Sequence, residues 1–329
     1  MRTVLFLFKK SQLASSRVRV LNLLPELSKH GINAIAEPWP RSLTGRLRLL
    51  SRLAAYDSVV LQKKLLHPVD LLLLRKFARH LVFDFDDAIF IPSDRANNQV
   101  CSRRYSRFVR VIKNADLVIA GNPKLAEEAR RYAKSVVTLP SAVEIIGIPT
   151  CENTHATEPH VIGWVGNGHN LHHLSVIGEV LQKLAQEFSL ELRVVSNRTL
   201  HLKGVNVINI PWTLSGQTFE IAQFDIGIMP LPQNSWTEGK CSYKALQYMA
   251  AAVPVVATNW GYNRIAIQHN ETGLLADDND QFYDKLKLLI TSPLLAKTIG
   301  RAGRAQVERE LSIEVVSEKL AKLLLSVTS

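Results

Sequence analysis

The chain has 329 residues, 47% of them hydrophobic and 21% charged, which excludes a disordered protein and exceeds one ordinary core, so two domains are expected. Its three cysteines, Cys101, Cys151 and Cys241, are scattered and odd in number, excluding a disulfide framework and structural zinc and fitting a reducing, cytosolic setting. The net charge of +11 is uneven: residues 1–150 carry 25 Lys+Arg against 12 Asp+Glu, and residues 151–329 carry 15 against 17.

The first half alternates strand-like and helix-like segments, the pattern of a parallel sheet covered by helices. The apolar run at 4–8 is too short for the core of a signal peptide, and no run reaches bilayer-crossing length, so the expected chain is soluble or membrane-peripheral. Strands are predicted at 3–8, 58–62, 80–85, 117–120 and 136–139. A helix is predicted over 17–30, where Val20, Leu23, Leu24 and Leu27 recur at helical spacing and Gly31 supplies a stop. A second basic helix reads over 41–56, with Leu43, Leu47, Leu50 and Ala54 on one face and Arg46, Arg48 and Arg52 off it. Such a helix either lies on an anionic membrane or packs on the sheet as an ordinary surface helix. Arg103, Arg107 and Arg110, with Arg104 and Lys113, form a further stripe that reads as phosphate-facing or simply solvated.

The segment 145–159 breaks both periodicities and reads as the linker, which gives domains at 1–148 and 149–311. A second alternating series follows, with strands predicted at 161–165, 191–196, 205–208, 225–229 and 253–257. The resulting fold class is α/β: two Rossmann-like, doubly wound parallel-sheet domains facing across a cleft.

The most specific stretch runs from Glu238 to Ala257: a glycine-containing loop, a helix with Ser242 as its expected N-cap, and a buried strand after Pro254. A capped helix start offers amides and a positive dipole end to a diphosphate. Lys240 and Lys244 add fixed positive charge, and Lys244 shares a helix face with Gln247.

This stretch resembles family 4 of the retaining GT-B glycosyltransferases, whose sequences carry a Glu, seven residues and a second Glu before a Pro-Val-Val strand. Gln247 aligns with the second Glu, and Met249, Ala250, Pro254, Val255 and Val256 match as they stand. The first Glu falls on Gly239, with Glu238 one position off, and the usual Gly falls on Ala252. The resemblance extends over most of the chain. It implies donor contacts at Gly166, Asn167, Arg198, Trp212, Glu238, Gly239, Lys240, Ser242 and Gln247, with Lys244 as the catalytic cation. The Arg and Lys that neutralise the donor phosphates in relatives are absent from 161–173, leaving Lys244, Lys240 and Arg198 as replacements. Trp212 reads either as a platform for the base or as a core ring.

In the first domain the resemblance implies that Ser16 and Arg17 face the donor phosphate or the acceptor. Asp86 and Asp87 resemble an acidic element that orients an acceptor hydroxyl or acts as a general base; a loop cap or salt bridges to nearby arginines are the competing readings. The helix 312–329 is expected to pack back on this domain. The implied activity is a metal-independent hexosyltransferase that retains anomeric configuration by front-face attack. It uses a nucleoside diphosphate sugar, no cofactor and no metal ion, and an acidic, glycan or lipid-linked acceptor. The expected setting is cytoplasmic, peripheral on an anionic inner membrane face. Nucleic acid is not an expected partner, since the basic patches lack interleaved aromatics and no helix-turn-helix or zinc pattern appears. A dinucleotide dehydrogenase would need the Gly-x-Gly-x-x-Gly fingerprint, which is absent after the first strand. The other surviving reading is a non-catalytic nucleotide-sugar-binding or scaffold protein with an altered donor site.

Overall fold

In the computed structural model, which describes residues 1–92, 101–151 and 158–327, the chain divides into two units. Unit 1 comprises Met1–Ala142, Asn234–Cys241 and Leu311–Ser329; unit 2 comprises Val143–Gln233 and Ser242–Glu310. Residues 152–157 of the expected linker lie outside the described residues.

Unit 1 holds β1 (Arg2–Phe8), β2 (Ile32–Pro38), β3 (Ser58–Gln62), β4 (Leu81–Phe85), β5 (Leu117–Ala120) and β6 (Val136–Thr138). They form one sheet in the order β2-β1-β3-β4-β5-β6, with every pair parallel. Strands β3, β4 and β5 are buried along their whole length, because helices cover both faces of a parallel sheet. The edge strand β2 went unread because only its first residue is fully buried and it ends in proline.

One face of this sheet packs Leu5, Leu7, Phe83 and Phe85 against Phe108. The other packs Val4, Phe6 and Val60 with Leu23 and Leu27 and with Val316, Leu320 and Leu324 of the helix Ile313–Val327. The predicted helix over 17–30 is instead three pieces, Ala14–Arg19, a 3-10 turn at Leu21–Leu23, and Leu24–Lys29. Pro25 explains the break: in a continuous helix its ring would strike the carbonyl four residues back, at Leu21.

Unit 2 holds β7 (His160–Val165), β8 (Leu190–Ser196), β9 (Asn206–Pro211), β10 (Ile226–Met229), β11 (Val255–Thr258) and β12 (Leu274–Ala276). Their order, β12-β11-β10-β7-β8-β9, is also wholly parallel. The three-residue β12, absent from the sequence reading, is too short to show a period. Strand order reverses between β7 and β10, and in such sheets ligands bind outside the strand C-termini at that reversal.

The helix Tyr243–Ala250 is fastened over this point by Tyr248, which is fully buried. Its hydroxyl accepts from Val165 N at 3.1 Å, at the end of β7, and donates to Ile228 O at 3.3 Å, in β10. Gly227 makes room for the ring, since a methyl group there would stand 2.5 Å from it.

Candidate active site

In unit 2, residues 166–168 follow β7 at the strand reversal. A methyl group on Gly166 would come within 2.5 Å of Lys244 Cε, and one on Gly168 within 2.5 Å of Arg198 Cγ. Both cationic side chains therefore lie against the same short loop. The loop is shaped by two side-chain amides: Asn167 Oδ1 accepts from His169 N at 2.9 Å, and Asn197 Oδ1 accepts from Gly168 N at 2.7 Å. Lys244 Nζ also stands 5.3 Å from the centroid of the buried Trp164 ring.

Ser242 occupies the N-cap position of Tyr243–Ala250 but does not cap it, which corrects the expectation from sequence. Its backbone is left-handed, φ 51° and ψ 24°, and its hydroxyl donates to Asn263 Oδ1 at 2.6 Å instead of receiving a first-turn amide. Asn263 is itself held by its Nδ2 on Thr258 O at 3.0 Å. A left-handed residue with a β-carbon costs about 1–2 kcal/mol, a conformation that tends to persist where function demands it.

Trp212 follows β9 and is half-buried rather than part of the core. Its Nε1 donates to Gln217 Oε1 at 3.0 Å, and Gln247 Nε2 donates to the same oxygen at 3.3 Å. Gln217, at the start of Gln217–Ala222, was not singled out from sequence, where nothing but its distance of five residues from Trp212 marks it.

The remaining residues read for the donor lie in the other unit, because the division falls inside the 238–257 stretch, between Cys241 and Ser242. Glu238 pairs with Lys124 at 3.5 Å, and Lys240 Nζ stands 5.3 Å from the Trp236 ring. Gly239 packs so closely on Ala88 that a methyl group there would be 2.8 Å from its Cβ. Asn122 holds this segment and the helix Pro123–Arg130 together: its Nδ2 donates to Lys240 O at 3.0 Å while its Oδ1 caps Leu125 N at 2.8 Å.

Asp86 and Asp87, just past β4, are ion-paired by one residue that sequence reasoning did not nominate. Lys63, just past β3 and left-handed at φ 51°, places Nζ 3.0 Å from Asp86 Oδ1 and bonds Asp87 Oδ2. Burial works against its charge, but the two carboxylates overcome that and hold the ammonium well above its usual range. The competing reading named nearby arginines as partners; Lys63 is a partner of both carboxylates that it did not name. Position after a parallel strand's C-terminus was the signal that could have found it.

Ser16 is buried, and its hydroxyl meets no partner among the described residues, while Arg17 Nη1 donates back to Gln12 O at 2.7 Å. The arginine that reaches inward is Arg19, whose guanidinium grips both oxygens of Asp84 and donates to Leu139 O at 2.7 Å. Cys241, also buried, donates to Asp86 O at 3.2 Å; burial, with Asp86 adding to it, pushes its thiol well up.

The basic helix predicted over 41–56 runs as Leu43–Arg52 followed by a 3-10 turn at Leu53–Ala55, with its buried stripe shifted to Leu49, Leu50 and Leu53. Leu43 and Leu47 are 68% and 54% exposed, beside Val69 and Leu72 of the neighbouring helix Pro68–Phe77 at 58% and 68%. Arg46 is paired with Asp70 at 3.1 Å and Arg52 with Glu37, which takes two of the three arginines into ordinary surface pairs. Arg103, Arg104 and Arg110 of the helix Ser102–Asn114 are exposed. Among the described residues no helix is long and apolar enough to cross a membrane.

Residues 159–292 match the family described as glycosyl transferases group 1. The human alpha-1,3/1,6-mannosyltransferase ALG2 is 37% identical over 76 residues, a match that spans 23% of this chain and only 18% of that protein. Among solved structures, sucrose-phosphate synthase from Thermosynechococcus elongatus superposes with a TM-score of 0.73 at 14% identity, covering 99% of each chain. HepE from Anabaena, solved with UDP-glucose, gives 0.72 at 14% identity over 99% of this chain and 100% of that one. A glycosyltransferase from Rickettsia africae gives 0.73 at 15% identity over 99% and 98%. The chain thus has the two-domain α/β fold of these glycosyltransferase structures, and its residues 159–292 match the group 1 glycosyl transferases.

Proposed function

We propose that the chain transfers a hexose unit from a nucleoside diphosphate sugar to a glycan or lipid-linked acceptor, with retention of configuration and without a metal ion. The observation that carries this reading is the pair Lys244 and Arg198 against residues 166–168, at the strand reversal of unit 2. Two fixed cations at that point suit a diphosphate, and stabilising the departing diphosphate is the main electrostatic task of such a transfer. Gln247, one turn beyond Lys244, suits a ribose. The named relatives support the same reading: ALG2 is a mannosyltransferase, and HepE was solved with UDP-glucose.

On unit 1, Asp86 and Asp87 are the proposed orienting groups for an acceptor hydroxyl, with Lys63 holding their geometry. The exposed leucines at 43 and 47 and the cationic excess of residues 1–150 favour an acceptor presented at an anionic bilayer. In this reading the protein works at the cytoplasmic face of a membrane.

A thermal-shift screen of UDP-, GDP-, ADP- and TDP-sugars, each with and without EDTA, tests the proposal. At least one donor is expected to raise the melting temperature equally under both conditions. Stabilisation by none of them would count against nucleotide-sugar chemistry altogether; stabilisation that EDTA abolishes would count against metal independence. Binding without release of the nucleoside diphosphate in the presence of any glycan or lipid acceptor would favour a binding protein instead.

A further inference from the structure

An indole nitrogen carries a hydrogen and offers no lone pair, so Trp212 can only donate. Its 3.0 Å contact with Gln217 therefore settles which end of that amide faces it, the oxygen Oε1. The same oxygen lies 3.3 Å from the Gln247 amide. Gln247 must meet it with its donor end, Nε2, and its own Oε1 turns away. One donor-only group thus sets the polarity of two amides in series, orientations that are otherwise ambiguous. Among the described residues Gln247 Oε1 receives no donor. Lys244, three residues earlier in the helix Tyr243–Ala250, lies against residues 166–168. An acceptor oxygen and a cation therefore share one helix face.

We infer that Trp212 and Gln217 are positioning residues that hold Gln247 Oε1 as a fixed acceptor for the hydroxyls of a ribose. A neutral glutamine then offers the ligand what a carboxylate would, without adding negative charge beside a diphosphate. The inference rests on the donor reading above and adds to it a selectivity for ribose over deoxygenated sugars. It also explains why a glutamate would not serve at position 247 in this chain. A carboxylate there would set oxygen against Gln217 Oε1, and turning Gln217 to relieve that would set its NH2 against the Trp212 N–H.

The test is titration calorimetry of the full chain with UDP, GDP and ADP and with the 2′,3′-dideoxy counterpart of whichever binds tightest. The wild type is expected to prefer the ribose form. Gln217→Leu should weaken that form about 3- to 10-fold, the loss of one or two neutral hydrogen bonds, and leave the dideoxy form unchanged, so the preference collapses. Gln217→Glu keeps two acceptor oxygens and should keep the preference. Gln247→Glu should bind weakly on its own, and adding Trp212→Phe, which frees Gln217 to turn, should recover most of the loss. A Gln217→Leu chain with wild-type preference would overturn the inference, as would a wild type indifferent to the ribose hydroxyls or a double variant no better than Gln247→Glu. A wild type that binds none of the three diphosphates sinks the donor reading itself, and this inference with it.

Discussion

Arg19 and Asp84 form an ion pair sealed inside unit 1, their side chains only 3% and 7% exposed. Burial pushes the Asp84 carboxyl up, and the Arg19 guanidinium opposes it. Removing Arg19 leaves only the weaker pull of Lys63 against burial, and breaking a buried pair from one side costs about 3–5 kcal/mol. Arg19→Leu is therefore expected to lose about that much in urea denaturation. A raised folded-state carboxyl pKa makes the folded state the better proton binder, so the deficit should shrink as pH falls and grow as it rises. Arg19→Lys, which keeps the charge but not the two-pronged grip, should fall between. A deficit independent of pH would show that the carboxyl stays ionised without its partner.

Gly166 and Lys244 compete for the same space. Gly166→Ala puts a methyl group 2.5 Å from Lys244 Cε and 2.8 Å from the Trp164 ring, so the lysine must move off the loop. Donor affinity is expected to fall about tenfold or more, the loss of a charge-assisted contact. Lys244→Met should match it, and the double variant should be little worse than either, because both act through one ammonium. Strictly additive losses would separate the glycine from the lysine.

His269 supplies a pH dependence of opposite sign. Its Nδ1 accepts from Leu275 N at 3.0 Å, a bond that needs the neutral ring, and burial, with Lys285 adding to it, lowers the pKa from 6.5. The unfolded chain then takes up its proton first as pH falls. This contribution to stability is full above pH 6.5 and is lost as pH drops through the lower folded value. His269→Gln, which does not titrate, should flatten the fall in melting temperature between about pH 7 and pH 5.

Cys241 is expected to be the slowest of the three cysteines to alkylate. Its thiol is buried, donates to Asp86 O and is pushed up away from the thiolate, whereas Cys101 and Cys151 are partly exposed. Mass spectrometry after timed iodoacetamide treatment of the native chain should find Cys241 last. Early labelling would mean that the 234–241 segment opens readily from unit 1.

Strands such as Ser58–Gln62 and His160–Val165 were legible from their apolar cores, 59–61 and 161–165. Two edge strands were missed, β2, with only its first residue buried, and β12, with three residues, although the edge strands β6 and β9 were read. Helix starts were read from residue type, which failed at Ser242, since cap chemistry depends on a backbone angle that a serine does not reveal. The nomination of Asp86, Asp87, Lys244 and Gln247 came from residue patterns. Their partners Lys63 and Gln217 were missed: each is defined by a distance across the fold, and only the position of Lys63 just past a strand marks it in the sequence.

The helix Ile313–Val327 completes a core that begins with Val4 and Phe6. A ribosome delivers these contributions in the opposite order from the usual domain-by-domain sequence. The first strands emerge early, yet the surface that Leu320 and Leu324 cover stays bare until those residues, some three hundred positions later, have been made. Unit 2 is contained between residues 143 and 310 and has no such dependence. It can close while unit 1 is still waiting, so the half that holds Lys244 and Gln247 is the one able to mature first during synthesis.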